Sequence, residues 1–251
     1  MQLKFSVITC TWNSERYLQE SIASVMAQDY PDIEYIFVDG GSTDGTLDMI
    51  RSLERPYTLL ENIQGGVSRA MNEGMLRASG DVIAHLHSDD YYLHGKVLST
   101  VADHLHKSGR KWLFGRTKTL IDGELRPEGW TAPRFSYASL LKGNFIPHPA
   151  TFVRRDLMRD LGGFDTKLKY AMDYDLWLKI ARKHDPVQLD EALTAFREHE
   201  GSLSTKNRLA AMEEDLRVRL AHAGFDPMGK LLHYARYFVR RQRALQAELG
   251  N

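Results

Sequence analysis

The chain of 251 residues contains one cysteine, Cys10, so it has no internal disulfide and no cysteine-based zinc site. It lacks any uninterrupted apolar run of about 18 residues, the length needed to span a membrane as a helix. It also lacks an excess of either charge: 33 Lys+Arg face 33 Asp+Glu, for a formal net charge of +0. Without a basic field, nucleic acid is not expected as a partner. No low-complexity linker and no internal repeat interrupts the chain. The first residues pass straight into LKFSVIT, without the basic-then-apolar pattern of a secretory signal. Together these absences predict a cytoplasmic, reducing compartment.

What is present is ordinary for a globular protein. Hydrophobic residues make up 43% and charged residues 26%, enough for one large α/β domain with a proper core or for two small ones. Leu3–Thr9 reads as a first strand, followed by a polar break at Thr11–Ser14. Leu18, Ile22, Val25 and Met26 then recur at helical spacing. Glu34–Val38 is a second strand ending at Asp39, before the turn-rich GGSTDGT. A helix bearing Leu47, Ile50 and Leu53 follows, then a short strand at Tyr57–Leu60. Gly65 and Gly66 open a helix over Val67–Ala78, and Val82–Leu86 is a buried strand running into Ser88, Asp89 and Asp90. Strands alternating with helices at this spacing predict βαβ units and a mostly parallel sheet, whose ligands bind beyond the carboxyl ends of the strands. Three polar strand ends fall on that edge: Cys10–Asn13, Asp39–Asp44 and Ser88–Asp90.

The second half is less regular. A helix is expected over Lys96–His106, a strand over Trp112–Lys118 and a hairpin turn at Asp122-Gly123. Arg126–Phe135 reads as a loop containing Trp130, and Phe145–Val153 as an extended stretch through Pro147, His148 and Pro149. Gly162-Gly163 is a turn, Asp173–Lys183 a helix, and two short strands flank Asp190. Lys206–Ala221 and Met228–Leu249 are expected to form two C-terminal helices. In the last, apolar Leu231, Leu232, Tyr234, Ala235, Phe238 and Val239 lie near Arg236, Arg240, Arg241 and Arg243. A basic amphipathic helix of this kind lies on an anionic membrane surface, on its own domain or on a second subunit.

Adjacent carboxylates at a strand end suit a hard divalent cation, Mg²⁺ or Mn²⁺, with phosphate completing the shell. They equally suit a turn or a helix cap. What separates these readings is the order of the other segments: SVITCTWNSERYLQESIASVMAQDYPDIEYIFVDGGSTDGT, GGVSRAMNEGMLRASGDVIAHLHSDD, HPATFVRRDLMRDLGGFD, MDYDLWLKIA and REHEGSLS. In this order they resemble glycosyltransferase family 2, over roughly residues 4–205. The resemblance implies a single GT-A-type, Rossmann-like α/β domain with C-terminal helices. It also implies an inverting transfer of a sugar from a nucleotide-sugar to a hydroxyl, with a divalent cation.

By the same resemblance, Asp39 holds the uracil of a UDP-sugar, framed by backbone groups of Thr9, Cys10 and Thr11. The alternative for Asp39 is a turn-forming aspartate. Gly66, Ser68 and Arg69 lie along the nucleotide, since a glycine-rich helix start suits close approach to phosphate. Ser88 and Asp89 contact the nucleotide, and Asp89, Asp90 and His199 hold the metal and diphosphate. Asp173 is the expected catalytic base, with a helix N-cap as its alternative. Asp175, two residues along, is expected to be structural. His148 and Trp130 fall on the acceptor side. Residues 1–205 then form the catalytic domain, with a nucleotide-binding half (1–92) and an acceptor half (93–205), and 206–251 a helical extension.

Three positions depart from the commonest family pattern. Gly40 and His87 stand where acids are frequent, and Met172 stands where a Glu often precedes the base. They keep open a non-catalytic nucleotide-sugar-binding scaffold as the alternative. A nucleotidyltransferase is disfavoured because CTWNSE, and no glycine-rich loop, follows the first strand. A dehydrogenase is disfavoured because no G-x-G-x-x-G does. The charge of the last helix points to a saccharide or lipid-linked acceptor at the cytoplasmic face of a membrane, as in surface polysaccharide assembly.

Overall fold

The computed structural model describes residues 2–126, 132–199 and 207–249. The first half comprises β1 (Phe5–Thr11), α1 (Glu15–Met26), β2 (Ile33–Asp39), α2 (Thr46–Arg51), β3 (Thr58–Leu60), α3 (Val67–Arg77), β4 (Val82–His85) and β5 (Tyr91–Tyr92). There follow α4 (Val97–Ser108), β6 (Trp112–Ile121), β7 (Glu124–Arg126), α5 (Tyr137–Leu140), β8 (Thr151–Arg154), α6 (Arg155–Asp160), α7 (Met172–Ala181) and β9 (Val187–Arg197). The chain ends in α8 (Arg208–His222) and α9 (Pro227–Leu249).

The strands form one nine-stranded sheet in the order β3-β2-β1-β4-β8-β6-β9-β5, with β7 paired to β6. The first four are parallel. Beyond them β8 pairs antiparallel to both β4 and β6, β9 is parallel to β6, and β5 is antiparallel to β9. Val7, Ile8, Ile36, Phe37 and Val38 are all fully buried. Burial on both faces explains why β1 and β2 read as continuous apolar runs and not as an alternation. One face is covered by Met71 and Met75 of α3, Leu157 and Met158 of α6, and Tyr174–Ala181 of α7. The other is covered by Leu18, Ile22 and Val25 of α1, Ile50 of α2, and Val97, Leu98 and Val101 of α4. The fold is therefore a three-layer α/β domain, with α8 packed on α7 and α9 on α8.

The Asp122-Gly123 hairpin forms as expected, with both residues at positive φ (51° and 80°), the conformation a two-residue turn needs to match strand twist. Three expectations change. The two strands expected around Asp190 are one long strand, β9, whose pairing with β6 shifts register near Arg116. The exposed acids Asp190 and Glu191 sit in that irregularity and break the apolar pattern. The extended stretch at Phe145–Val153 becomes a strand only from Thr151, because Pro147 and Pro149 offer no ladder N–H. Leu53 lies beyond the end of α2, which stops at Arg51.

Candidate active site

The sheet order β2-β1-β4 brings the three polar strand ends side by side. Thr11 is in register with Asp39, and Ile8 with His85. Side chains of the loops then join the ends: the Asn13 N–H donates to Ser42 Oγ at 2.8 Å, the Ser14 N–H to Thr46 Oγ1 at 2.7 Å, and the Ser88 and Ser14 hydroxyls meet at 2.9 Å.

Asp39 is fully buried at this edge. Its Oδ1 accepts the N–H groups of Gly41 and Ser42, both at 2.8 Å, and its Oδ2 accepts the hydroxyls of Thr11 (2.8 Å) and Ser42 (2.5 Å). The carboxylate thus organises the turn after β2, and a base N–H would reach it only by replacing one of these hydroxyls. Thr9 points into the sheet, where its hydroxyl donates to the Leu86 carbonyl at 2.7 Å. Cys10 is half-buried, and burial pushes its thiol up to about 12, away from the thiolate form.

At the start of α3, Gly65 and Gly66 have φ of 107° and 92°, a backbone that side-chain-bearing residues rarely adopt. Ser68 is buried, and its hydroxyl donates to the Leu168 carbonyl at 3.1 Å, which fastens α3 to the loop before α7. Arg69 is exposed, bending back over Gly65 and lying 4.0 Å from Glu73.

The end of β4 meets the end of β9 across about half the sequence. Asp89 Oδ2 and His199 Nε2 lie 3.0 Å apart. The Arg197 N–H donates to Asp90 Oδ1 at 3.1 Å, and Arg197 Nε to the Asp89 carbonyl at 3.2 Å. Arg197 also pairs with Glu20 of α1 and lies over the Tyr17 ring, 4.4 Å from its centre. The Tyr17 ring in turn packs against His199 at 5.1 Å. Asp90 is buried, and burial with the neighbouring Asp89 charge raises its carboxyl well above the usual range, against the pull of the Arg197 N–H and charge. Two carboxylates and an imidazole are a donor set that fits Mn²⁺ or Mg²⁺. Among the described residues no three His, Cys, Asp or Glu side chains are grouped closely enough to hold a metal ion by themselves.

His87 lies two residues before Asp89 and stacks on His148 with ring centres 5.1 Å apart and planes 8° apart. His148 also faces His85 at 5.6 Å and Trp177 of α7 at 6.0 Å. Burial pushes His85 down to about 3 and lowers His87; it lowers His148 well below the usual imidazole range, helped by the two neighbouring imidazoles. The cluster bridges the Asp89 loop to α7 by ring contact. Trp130 lies outside the described residues.

Asp173 is half-buried in the first turn of α7. It accepts the Tyr174 N–H at 2.7 Å and Asn144 Nδ2 at 3.2 Å. Burial raises its carboxyl to about 7; the Asp215 charge adds to this, and the two hydrogen bonds oppose it. A carboxylate tuned to neutral pH is suited to taking and releasing a proton. Asp175 turns away to Lys179 Nζ (2.6 Å) and His222 Nε2 (2.8 Å). Burial raises that group, but the hydrogen bonds and charges of His222 and Lys179 together hold its carboxyl below the usual carboxylate range. Asn144, Asp215 and Tyr17 were not anticipated from the sequence, since none carries a local signal of its role.

An α/β sheet of this order is that of the GT-A-type fold. The model for "Glycosyl transferase family 2" matches residues 6–156. Over 197 residues, 76% of this chain and 74% of the relative, the sequence is 33% identical to an uncharacterized glycosyltransferase of Mycobacterium tuberculosis. The chain therefore belongs to glycosyltransferase family 2. Its fold is shared with S. aureus TarS solved with UDP-GlcNAc (TM-score 0.72, 24% identity, 92% of this chain and 69% of that one). It is shared too with the Pyrobaculum calidifontis mannosyltransferase PcManGT solved with GDP-Man and Mn²⁺ (TM-score 0.69, 20% identity, 95% and 70%). The family match ends in α6, before Asp173 and His199.

Proposed function

We propose that this glycosyltransferase takes a sugar from a nucleoside diphosphate donor, uridine foremost, and joins it to a hydroxyl acceptor with inversion at the anomeric carbon. The observation that carries the reading is the junction of β4 and β9, where Asp89 meets His199 and Asp90 meets Arg197, residues more than a hundred positions apart. In this reading residues 1–92 form the nucleotide half, 93–205 the acceptor half and 206–251 a helical extension. Thr9, Cys10, Thr11 and Asp39 frame the base, with Gly66, Ser68, Arg69, Ser88 and Asp89 along the rest of the nucleotide. Asp89, Asp90 and His199 would hold a divalent cation, which when bound offsets the charge of the departing diphosphate. Asp173 takes the proton of the acceptor hydroxyl as its oxygen attacks the anomeric carbon. The bond to the diphosphate breaks on the opposite face, and its electron pair leaves with the phosphate oxygen. His148 borders the acceptor side.

The donor is testable without knowing the acceptor. A ligand that binds only the native state raises Tm, by about 2.7 kcal/mol of stabilisation at a hundred times Kd. Among UDP-, GDP- and dTDP-sugars with and without Mn²⁺, UDP-sugars with Mn²⁺ are expected to give the largest upward shift. A larger shift with GDP-sugars would overturn the uridine reading.

For the acceptor, α9 supplies the support. Leu231 (62% exposed), Phe238 (56%) and Val239 (51%) lie on its outer side with Met228 and Leu232, while His233 and Ala244 face inward. Arg236 and Arg243 flank the apolar stripe, whereas the Arg240 guanidinium turns toward Gly143 on the domain side. Among the described residues no helix is long and apolar enough to cross a membrane, and this pattern is that of a helix lying in an anionic interface. The protein is expected to float with vesicles containing phosphatidylglycerol, less with pure phosphatidylcholine, and to lose flotation as L231E/F238E. Equal flotation by that variant would count against an acceptor presented at a lipid surface.

A further inference from the structure

We infer that Glu214 of α8 is a positioning residue for Asp173, so that α8 is part of the transfer machinery and not an appendage to it. This rests on Asp173 being the base. Glu214 is 3% exposed, and a buried carboxylate persists only where hydrogen bonds replace its water. Here its Oε2 accepts the backbone N–H groups of Lys169 (2.9 Å), Tyr170 (2.5 Å) and Ala171 (2.9 Å). These three residues immediately precede Met172 and Asp173. Helix α7 has no capping side chain of its own, since Ala171 occupies the cap position. The carboxylate therefore ties down the loop that leads into α7 through three successive N–H groups, and its negative charge lies near the positive end of the α7 dipole. It fixes where the helix starts, and with that where Asp173 projects.

The other wall of the base rests on the same helix. Asn144, which donates to Asp173, follows Lys142 and Gly143. The Lys142 carbonyl accepts Arg219 Nη1 of α8 at 3.4 Å, and the Tyr174 hydroxyl donates to the Leu140 carbonyl at 2.7 Å. His222, at the end of α8, holds Asp175. The charged groups grouped around this corner are Asp215, Arg217 and Arg219 of α8 and Arg240 of α9. Displacing a catalytic group by about 1 Å can cost on the order of 10²-fold in rate. That gives a buried clamp outside the catalytic helix a direct route to turnover.

The test is a cycle of E214Q, D173N and the double variant. It is read by Mn²⁺-dependent UDP release to water from UDP-glucose and UDP-N-acetylglucosamine, by UDP calorimetry and by Tm. E214Q keeps the shape but weakens the acceptor, and is expected to lower turnover about 10- to 100-fold with UDP affinity within about twofold. Because Glu214 acts through Asp173, adding E214Q to D173N is expected to cost nothing more, a non-additivity that general loosening does not produce. Should E214Q fail to fold, E214D, which keeps the charge but reaches less far, is read in the same cycle. Turnover near wild type in E214Q, parallel loss of UDP binding, or the same fold-loss in both backgrounds would overturn the inference. If D173N itself releases UDP at the wild-type rate, or the wild type releases none, the base reading fails first and this inference falls with it. If D173N is inactive and E214Q unimpaired, only this inference falls.

Discussion

Replacing Asp173 with asparagine is expected to lower sugar transfer by about 10²- to 10⁴-fold, the usual contribution of a general base, while leaving UDP affinity unchanged. The asparagine still accepts the Tyr174 N–H and still lies against Asn144, so the packing survives and only the proton acceptor is lost. Because burial raises the wild-type carboxyl to about 7, turnover should fall as pH drops through that value, with an acid limb near 7 and not near 4. The stability consequence has the opposite sense from that of an ion-paired aspartate. The folded chain holds a proton here that the unfolded chain, ionising near pH 4, has already released. Stability from this site is therefore present at low pH and lost as pH rises toward 7. Asp173→Asn should accordingly raise Tm relative to wild type at pH 8 and make little difference at pH 4. Transfer near the wild-type rate, or an acid limb near pH 4, would remove Asp173 from the role of base.

The parts of this molecule legible in its sequence are those where a short stretch carries its own signal. The parallel βα half was readable because both-face burial writes continuous apolar strands, and because Asp39 and Asp90 end them in turn-rich segments. The meeting of the Asp89 loop with His199 was readable only through the order of several segments, since nothing local at REHE announces a partner more than a hundred residues away. Asp39 shows the limit on the other side. The sequence allows a base contact or a turn, and the structure shows its accepting positions taken by N–H and hydroxyl groups of the turn and by the Thr11 hydroxyl of β1. Strand β5 is two residues long, too short for any periodicity. Glu214 is the instructive omission. In AAMEEDLRVRL it looks like one more solvated acid, yet it lies one turn before Val218, on the buried side of α8. A carboxylate in line with apolar positions was the only available signal, and its meaning depends on backbone N–H groups of a distant loop.

The second large effect is expected at Asp89 and Asp90, which the structure separates into different environments. Asp89 is part-exposed beside His199, where a cation and diphosphate oxygens have access. Asp90 is buried, 1% exposed, and bonded to the Arg197 N–H. Asp89→Asn removes a ligand charge from the accessible corner without opening the core. It is expected to lower Mn²⁺-dependent UDP affinity by at least about tenfold, since even an outer-sphere partner of a metal is worth that much, with Tm nearly unchanged. Asp90→Ala removes the carboxylate that accepts the part-buried Arg197 N–H, at about 1–3 kcal/mol, so its lower Tm would confuse the reading. Asp90→Asn keeps an acceptor for Arg197 and removes only the charge. If Asp90 also faces the cation, this variant loses Mn²⁺ dependence in UDP calorimetry as Asp89→Asn does. If it keeps that dependence while Asp89→Asn loses it, Asp90 serves to anchor β9, and the cation rests on Asp89 and His199. If both variants keep it, the cation does not bind at this corner.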